Sequence, residues 1–394
     1  MFNFKIFNNI AEDGLDILRK NKFKEVLENP DGILLRSHNL LKEDFEDNLL
    51  CIARAGAGTN NIPKDDATKK GIVVFNTPGA NANAVKELVI CGMLLSSRGI
   101  VEGIEFAKNL DLEDSAGLNQ AMEAQKKTFA GNELAGKTLG IVGLGSIGSM
   151  LAQAAHNLGM KVVGYDPYIS IEGAWRLPRE VEKAETMEAL LQQSDYVSLH
   201  VPLVEDTKNL INESNLNKFK KGARLINLSR GGIVNTDDVI AELENGNLGR
   251  FVTDFPTPEL IKRSAEKNDV VLLPHLGAST KEAEINCAVM AANQMVNYLQ
   301  DGTILNSVNF PRISLSRGTN HRLVIINHNE PGMIGKIADS IAACDITIAE
   351  MTNKSRDEIA INLIDLECQA SEELINQLRS VEHVMSVRSL DISS

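Results

Sequence analysis

The run Gly143-Leu-Gly145-Ser146-Ile147-Gly148 follows directly on the apolar segment Lys137–Val142. Glycine-rich turns are common, so the run means little without its context. A strand pattern precedes it, and an apolar-periodic stretch (Ile147, Met150, Leu151, Ala154, Leu158) follows it. The next strand pattern, Val162–Asp166, ends in an acid 18 positions after Gly148. In such a context the first glycine makes a tight turn, the second lets the backbone approach a pyrophosphate, and the third lets the helix pack on the strand. The first amides of the helix, at Ser146 and Ile147, offer free N–H groups and a partial positive charge to phosphates. Asp166 can accept a hydrogen bond from a ribose 2′-hydroxyl and repels a 2′-phosphate. At ~4 Å that repulsion runs from about 1 kcal/mol per charge pair in water to about 4 near a protein surface. Pro167-Tyr168 bring no arginine to offset it, so the site favours NAD over NADP.

Three further groups stand where strand patterns end: Arg230 in Asn227-Leu-Ser-Arg-Gly-Gly232, Glu259 in Asp254-Phe-Pro-Thr-Pro-Glu259, and His275 in Leu273-Pro-His-Leu-Gly-Ala-Ser-Thr280. Taking a hydride from C2 of a 2-hydroxy acid needs a base for the hydroxyl proton, and imidazole titrates near working pH. A carboxylate bonded to that imidazole would favour its charged form and fix the ring. A guanidinium fork can grip the substrate carboxylate in two places. Singly, each has a plainer reading, as a packing histidine or a turn-solvating arginine. Their order downstream of the glycine run carries the chemical reading.

These groups need elements to position them. Short apolar runs at Phe4–Phe7, Gly32–Leu35, Cys51–Ala55, Ile72–Asn76, Lys137–Val142, Lys161–Tyr165, Tyr196–Val201, Ala223–Leu228, Phe251–Asp254 and Val270–Leu273 alternate with helical patterns. That alternation predicts an α/β protein with parallel sheets covered on both faces. Two doubly wound sheets are expected, because residues 100 to 135 contain no strand pattern. After a polar stretch at 314–320 with the look of a linker, the chain spells β-α-β-β-α-β, a ferredoxin-like order. The expected units are a substrate-binding domain (1–97 with 283–312), an inserted Rossmann domain (98–282) and a small terminal domain (318–394).

Bulk properties restrict the partners. The chain has 394 residues, a formal charge of -13 and no Lys/Arg-rich run, which argues against nucleic acid or an anionic membrane surface. No stretch approaches the roughly 20 apolar residues of a span, and no signal pattern opens the chain, so a cytoplasmic protein is expected. Five scattered cysteines without a CxxC pair read as reduced thiols. No metal-ligand spacing occurs.

With its GxGxxG, Asn-x-x-Arg-Gly and Pro-His-x-Gly runs, the chain resembles the D-2-hydroxyacid dehydrogenase family over nearly its whole length. Within that family it is most similar to the branch that oxidises 3-phosphoglycerate in serine synthesis. The resemblance implies that Arg230, Glu259 and His275 are catalytic and that Asp254 joins the cofactor site, with His200 near the cofactor through its backbone. Around Glu259 the pattern departs from the family's, since Phe255 sits one place early and Pro258 precedes the acid. The resemblance also implies that Arg36, Ser37, Arg54, Gly58 and Asn81 contact substrate in a closing cleft, with Lys126 or Lys127 as further cations. The plainer reading of those arginines is surface ion pairs. The tail resembles an ACT regulatory domain, in which Asn327, Asn329 and Thr347 correspond to positions that hold an amino-acid effector; the alternative is a pure assembly domain. A homo-oligomer, dimer or tetramer, is implied. Rival readings are a dehydrogenase of glycerate or lactate, and a non-catalytic NAD-sensing regulator.

Overall fold

A computed structural model describes residues 1–110 and 115–391. The chain divides into two compact units, one of residues 1–81 with 281–394 and one of residues 82–280.

In the first unit, β1 (Asn3–Phe7), β2 (Lys24–Glu25), β3 (Gly32–Leu35), β4 (Cys51–Arg54) and β5 (Val73–Phe75) form a five-stranded sheet in the order β2-β1-β3-β4-β5. All its pairings are parallel. β3, β4 and β5 are buried almost throughout, as parallel strands covered on both faces must be. The helix Lys281–Asp301 returns to this sheet and packs against Glu12–Lys20.

The second unit carries β6 (Thr138–Val142), β7 (Lys161–Tyr165), β8 (Glu182–Lys183), β9 (Tyr196–Leu199), β10 (Ala223–Asn227), β11 (Leu248–Thr253) and β12 (Val270–Leu272). They form a seven-stranded sheet in the order β12-β11-β10-β9-β6-β7-β8, parallel throughout. The order reverses between β6 and β9, and ligands bind such sheets at that switch point, beyond the carboxyl ends of the strands. The expected boundary at 97 falls instead at 81, because the helix Ala82–Ser97 belongs to this unit. Its Val85, Val89 and Met93 share a core with Ile226 and Val252, and Ser97 Oγ lies 2.8 Å from the Tyr196 hydroxyl. The helix is apolar nearly all round, so its periodicity could not say which sheet it covers. The two-residue strands β2 and β8 were not expected either; both are polar and exposed.

The tail forms β13 (His321–His328), β14 (Ile348–Arg356), β15 (Ile359–Leu366) and β16 (Val384–Asp391), in a four-stranded antiparallel sheet ordered β14-β15-β13-β16. Helices Met333–Ala343 and Glu372–Ser380 complete the β-α-β-β-α-β order. The last residues of the expected terminal domain, 392–394, lie outside the described residues. One sheet face, with Leu323, Ile325 and Ile364, packs under these helices. The other, with Val324, Ile326, Ile361 and Leu363, joins a core containing Tyr298, Leu299, Ile304 and Phe310. The tail is therefore no bead on a string.

Residues 314–320, expected as a linker, are pinned rather than free. Arg317 Nε lies 2.6 Å from Asp301, and its other nitrogens reach the carbonyls of Gln300 and Leu390. Arg322 and Asp365, both fully buried, form a two-pronged pair at 2.6 and 2.9 Å. Arg322 also donates to the carbonyls of Asp301 and Leu315, and Gly318 N–H donates to Asp365. Burial works to raise the Asp365 carboxyl, but Arg322 and the Gly318 amide hold it below its ordinary value. Its contribution to stability is thus present at neutral pH and is lost as pH falls through the depressed value.

Replacing Arg322 by alanine strands a buried carboxylate and is expected to cost about 3–5 kcal/mol in denaturant unfolding, and Arg322→Met with Asp365→Leu should recover part of that loss. A cost under about 1 kcal/mol for Arg322→Ala would show that the pair does not hold the tail.

Candidate active site

In the second unit the glycine turn, Asp166, His200, Arg230, Asp254, Glu259 and His275 each follow the carboxyl end of a strand of one parallel sheet, so they emerge at one edge. Gly143 leaves β6 with φ +91, a backbone conformation that side chains resist, and a Cβ there would stand 2.6 Å from the His200 carbonyl oxygen. A Cβ on Gly148 would stand 2.1 Å from the Gly143 carbonyl oxygen, so only glycine lets this helix start so close to its strand. Gly145 differs: a Cβ there would meet nothing within 4 Å. The space over Gly145 is open, as a phosphate approaching the first amides of helix Ser146–Asn157 requires. That helix buries Gly148, Leu151, Ala152 and Ala155, whereas Met150 and Leu158, counted in its apolar stripe, are exposed.

Asp166 leaves β7 beside this turn. Its Oδ2 accepts from Leu144 N–H at 2.8 Å and its Oδ1 from Tyr168 N–H at 3.0 Å. The carboxylate therefore fixes the glycine turn and keeps lone pairs for a ribose hydroxyl. Residue spacing carries no hint of the first role, which depends on the register of β6 against β7. His200 follows β9, and its Nε2 lies 2.9 Å from Ser198 Oγ. Burial pushes its pKa down to about 4, so the ring is neutral at working pH. Its Nδ1 is buried without a partner among the described residues.

The loop after β10 is tightened by Asn227, a buried residue that the sequence places in the Arg230 run without a role of its own. Its amide donates to the Arg230 carbonyl at 2.8 Å, and its oxygen accepts from Ser229 N–H. Arg230 is exposed, with Nη1 donating to the Ser229 carbonyl.

Asp254, which follows β11, organises the next loop. His275 N–H donates to its carbonyl at 3.0 Å, and Gly277 N–H donates to its Oδ2 at 3.0 Å. These bonds hold His275 at φ +49, an uncommon conformation for a residue with a side chain. Asp254 Oδ1 is buried without a partner among the described residues, and burial raises the carboxyl above its usual range. An orphaned buried acceptor beside an open edge suits a ligand N–H donor. The His275 ring is exposed and lies 5.0 Å from the Phe255 ring.

Glu259 sits in the first turn of helix Pro258–Glu266, capped by Thr257. Its own backbone N–H and the Thr257 hydroxyl hold its carboxyl below the ordinary value, so it is ionised at neutral pH. Among the described residues no hydrogen bond or ion pair joins Glu259 to His275. The ligand-free geometry of such pairs is often loose.

In the first unit, Leu35 and Arg54 are register partners in adjacent parallel strands. Arg36, Ser37, Arg54 and Gly58 consequently gather at one carboxyl edge. Arg54 Nε donates to the Arg36 carbonyl at 2.9 Å, and its Nη1 donates to the Gly58 carbonyl. Arg36 Nη1 lies 2.6 Å from Glu284 Oε1. Ser37 N–H donates to Asn8 Oδ1, and Asn81 immediately precedes helix Ala82–Ser97. Lys126, in the second unit, is paired with Glu123, and Lys127 is exposed.

In the tail, Asn327 is buried and accepts from Asn362, which in turn accepts from Asn353, each at 2.8 Å. This ladder has no signature in the sequence, since Asn362 stands inside an otherwise apolar strand. Asn329 is exposed, and its amide reaches the Asp357 carbonyl. Thr347 precedes β14, next to Ile348, the register partner of Leu366, whereas Asn327 pairs with Ala360. About six strand residues, roughly 20 Å, separate the two levels. One chain does not bring them together.

Residues 99–277 match the family described as D-isomer specific 2-hydroxyacid dehydrogenase, NAD binding domain. The chain is 31% identical to the D-3-phosphoglycerate dehydrogenase of Haemophilus influenzae, over 98% of this chain and 97% of that protein. It is 32% identical to that of Escherichia coli, over 95% and 90%. A solved NAD+-bound 3-phosphoglycerate dehydrogenase from Entamoeba histolytica superposes with a TM-score of 0.60 at 26% identity, covering 78% of this chain and 98% of that one. With these likenesses over nearly its full length, the chain belongs to the D-isomer specific 2-hydroxyacid dehydrogenase family.

Proposed function

We propose that this chain oxidises D-3-phosphoglycerate to 3-phosphohydroxypyruvate with NAD, the first step of serine biosynthesis. The observation that carries the reading is the shared edge: the open glycine turn, Asp166, Arg230, Asp254 and His275 all follow carboxyl ends of one parallel sheet. Measured across strands, the ends of β10, β11 and β12 lie about 10 to 20 Å from that of β6, a span suited to an extended dinucleotide. The residues fit NAD. The amides at the start of helix Ser146–Asn157 would hold its pyrophosphate, Asp166 its adenosine ribose, and the orphaned Asp254 Oδ1 its carboxamide N–H. When bound, NAD supplies the hydride acceptor.

The protein's own groups do the rest. His275 takes the C2-hydroxyl proton as the C2 hydride departs, and returns it in the reverse reaction. Arg230 offers its fork to the substrate carboxylate and, in reduction, polarises the carbonyl. Glu259, ionised at neutral pH, stabilises the imidazolium once ligand binding draws the two together. Arg36 and Arg54, with Ser37, Gly58 and Asn81, hold the phosphate and carboxylate. The domains are read as a substrate-binding domain, a Rossmann domain and an ACT-like tail. The 2-3-1-4 strand order of the tail, in its own count, supports that last assignment. Asn327 is already engaged in the ladder, which leaves Asn329 and Thr347 as the exposed groups for an amino-acid effector. The protein is further read as a cytoplasmic homo-oligomer, and its cysteines, all free, agree with a reducing compartment. No helix among the described residues is long and apolar enough to cross a membrane.

An absorbance assay of NADH formation over a panel of 2-hydroxy acids tests the reading. 3-Phosphoglycerate is expected to give the highest kcat/KM. A preference for glycerate or lactate, or no turnover of any acid, would overturn it. His275→Ala should lower kcat by about 10²–10⁴-fold while NAD binding, followed by fluorescence, changes little. Asp166→Ala should raise KM for NAD and narrow the preference over NADP; an unaltered preference would remove Asp166 from the ribose site.

A further inference from the structure

We propose that Glu284 is a built-in competitor for the substrate anion at Arg36, and so sets how tightly the first unit holds a phosphorylated acid. The inference rests on the reading of Arg36 as a substrate contact. Glu284 lies in the first turn of helix Lys281–Asp301, with Oε1 2.6 Å from Arg36 Nη1. The two side chains are 46% and 40% exposed, so an incoming anion can reach the guanidinium without any unfolding. Arg54 differs, because its Nε and Nη1 are committed to the carbonyls of Arg36 and Gly58.

The next turn of the helix shows that this face looks onto both arginines. Burial raises the Cys287 thiol, the charges of Arg36 and Arg54 work to lower it, and the charge of Glu284 works to raise it. One carboxylate thus stands on a cation that would otherwise face a multiply charged substrate, on the helix face that also carries Cys287 in the field of Arg54. It occupies Arg36 in the free enzyme, and it repels a phosphate that draws near. An uncharged hydroxyl in place of the phosphate would feel little of either effect, which makes Glu284 a residue that moderates selectivity for the phosphorylated acid.

Glu284→Gln keeps the shape and removes the charge. In the full-length chain at saturating NAD, its KM for 3-phosphoglycerate should fall about two- to fivefold, the range of an exposed ion pair. Its KM for D-glycerate should move less than twofold. Glu284→Ala should act in the same direction, and the gain should vanish in an Arg36→Ala background, where the pair no longer exists. An unchanged ratio of the two KM values, or an equal gain without Arg36, overturns the inference. If Arg36→Ala alone leaves both KM values untouched, the substrate contact itself is refuted; a failure confined to Glu284 would still show a raised KM in Arg36→Ala.

Discussion

A buried carboxylate with one oxygen committed and one free lies at the root of the candidate chemistry. Asp254 spends Oδ2 on the Gly277 amide and its carbonyl on the His275 amide, and this shapes the 275–277 turn. An unpaired buried acceptor costs on the order of 1–3 kcal/mol. The fold tolerates Oδ1 in that state, together with a left-handed histidine, at one point on the sheet edge. Strain of this kind persists where the surroundings over-determine it. Here they do so through two backbone bonds to a single residue anchored at the end of a buried strand.

Backbone groups do most of the positioning elsewhere. The glycine turn is held by close approach to the His200 carbonyl and by Asp166 accepting from Leu144. The Arg230 loop is held by Asn227. These clamps hold the main chain and leave the tips of Arg230 and His275 exposed. In the first unit the cations are balanced by the chain's own carbonyls and by Glu284, so the net charge of -13 is compatible with anion binding at a small cationic edge.

The tail shows a different economy. Its sheet is apolar on both faces because helices cover one and the core around Tyr298 and Phe310 covers the other. A buried ion pair is a poor source of stability but is very costly to break. The Arg322–Asp365 pair therefore sets the register of the 314–320 segment more than it adds to the overall stability.

Local pattern alone determined the alternation of strands and helices, the glycine run with its acid at the next strand end, and the β-α-β-β-α-β tail. Each of these depends on side-chain periodicity or on glycine and proline chemistry within a few residues, and such information is carried in the chain order. The polar edge strands Lys24–Glu25 and Glu182–Lys183 have no apolar signature, so only sheet pairing defines them. Beyond its first two turns helix Ala82–Ser97 is apolar nearly all round, and only packing assigned it to the second unit. Asp254 as the anchor of His275, Asp166 as a brace, the Arg36–Glu284 pair and the Asn327–Asn362–Asn353 ladder join residues far apart in the chain or oriented by register. Tertiary structure alone decided them, because a hydrogen bond depends on position and direction in space, and residue spacing records neither.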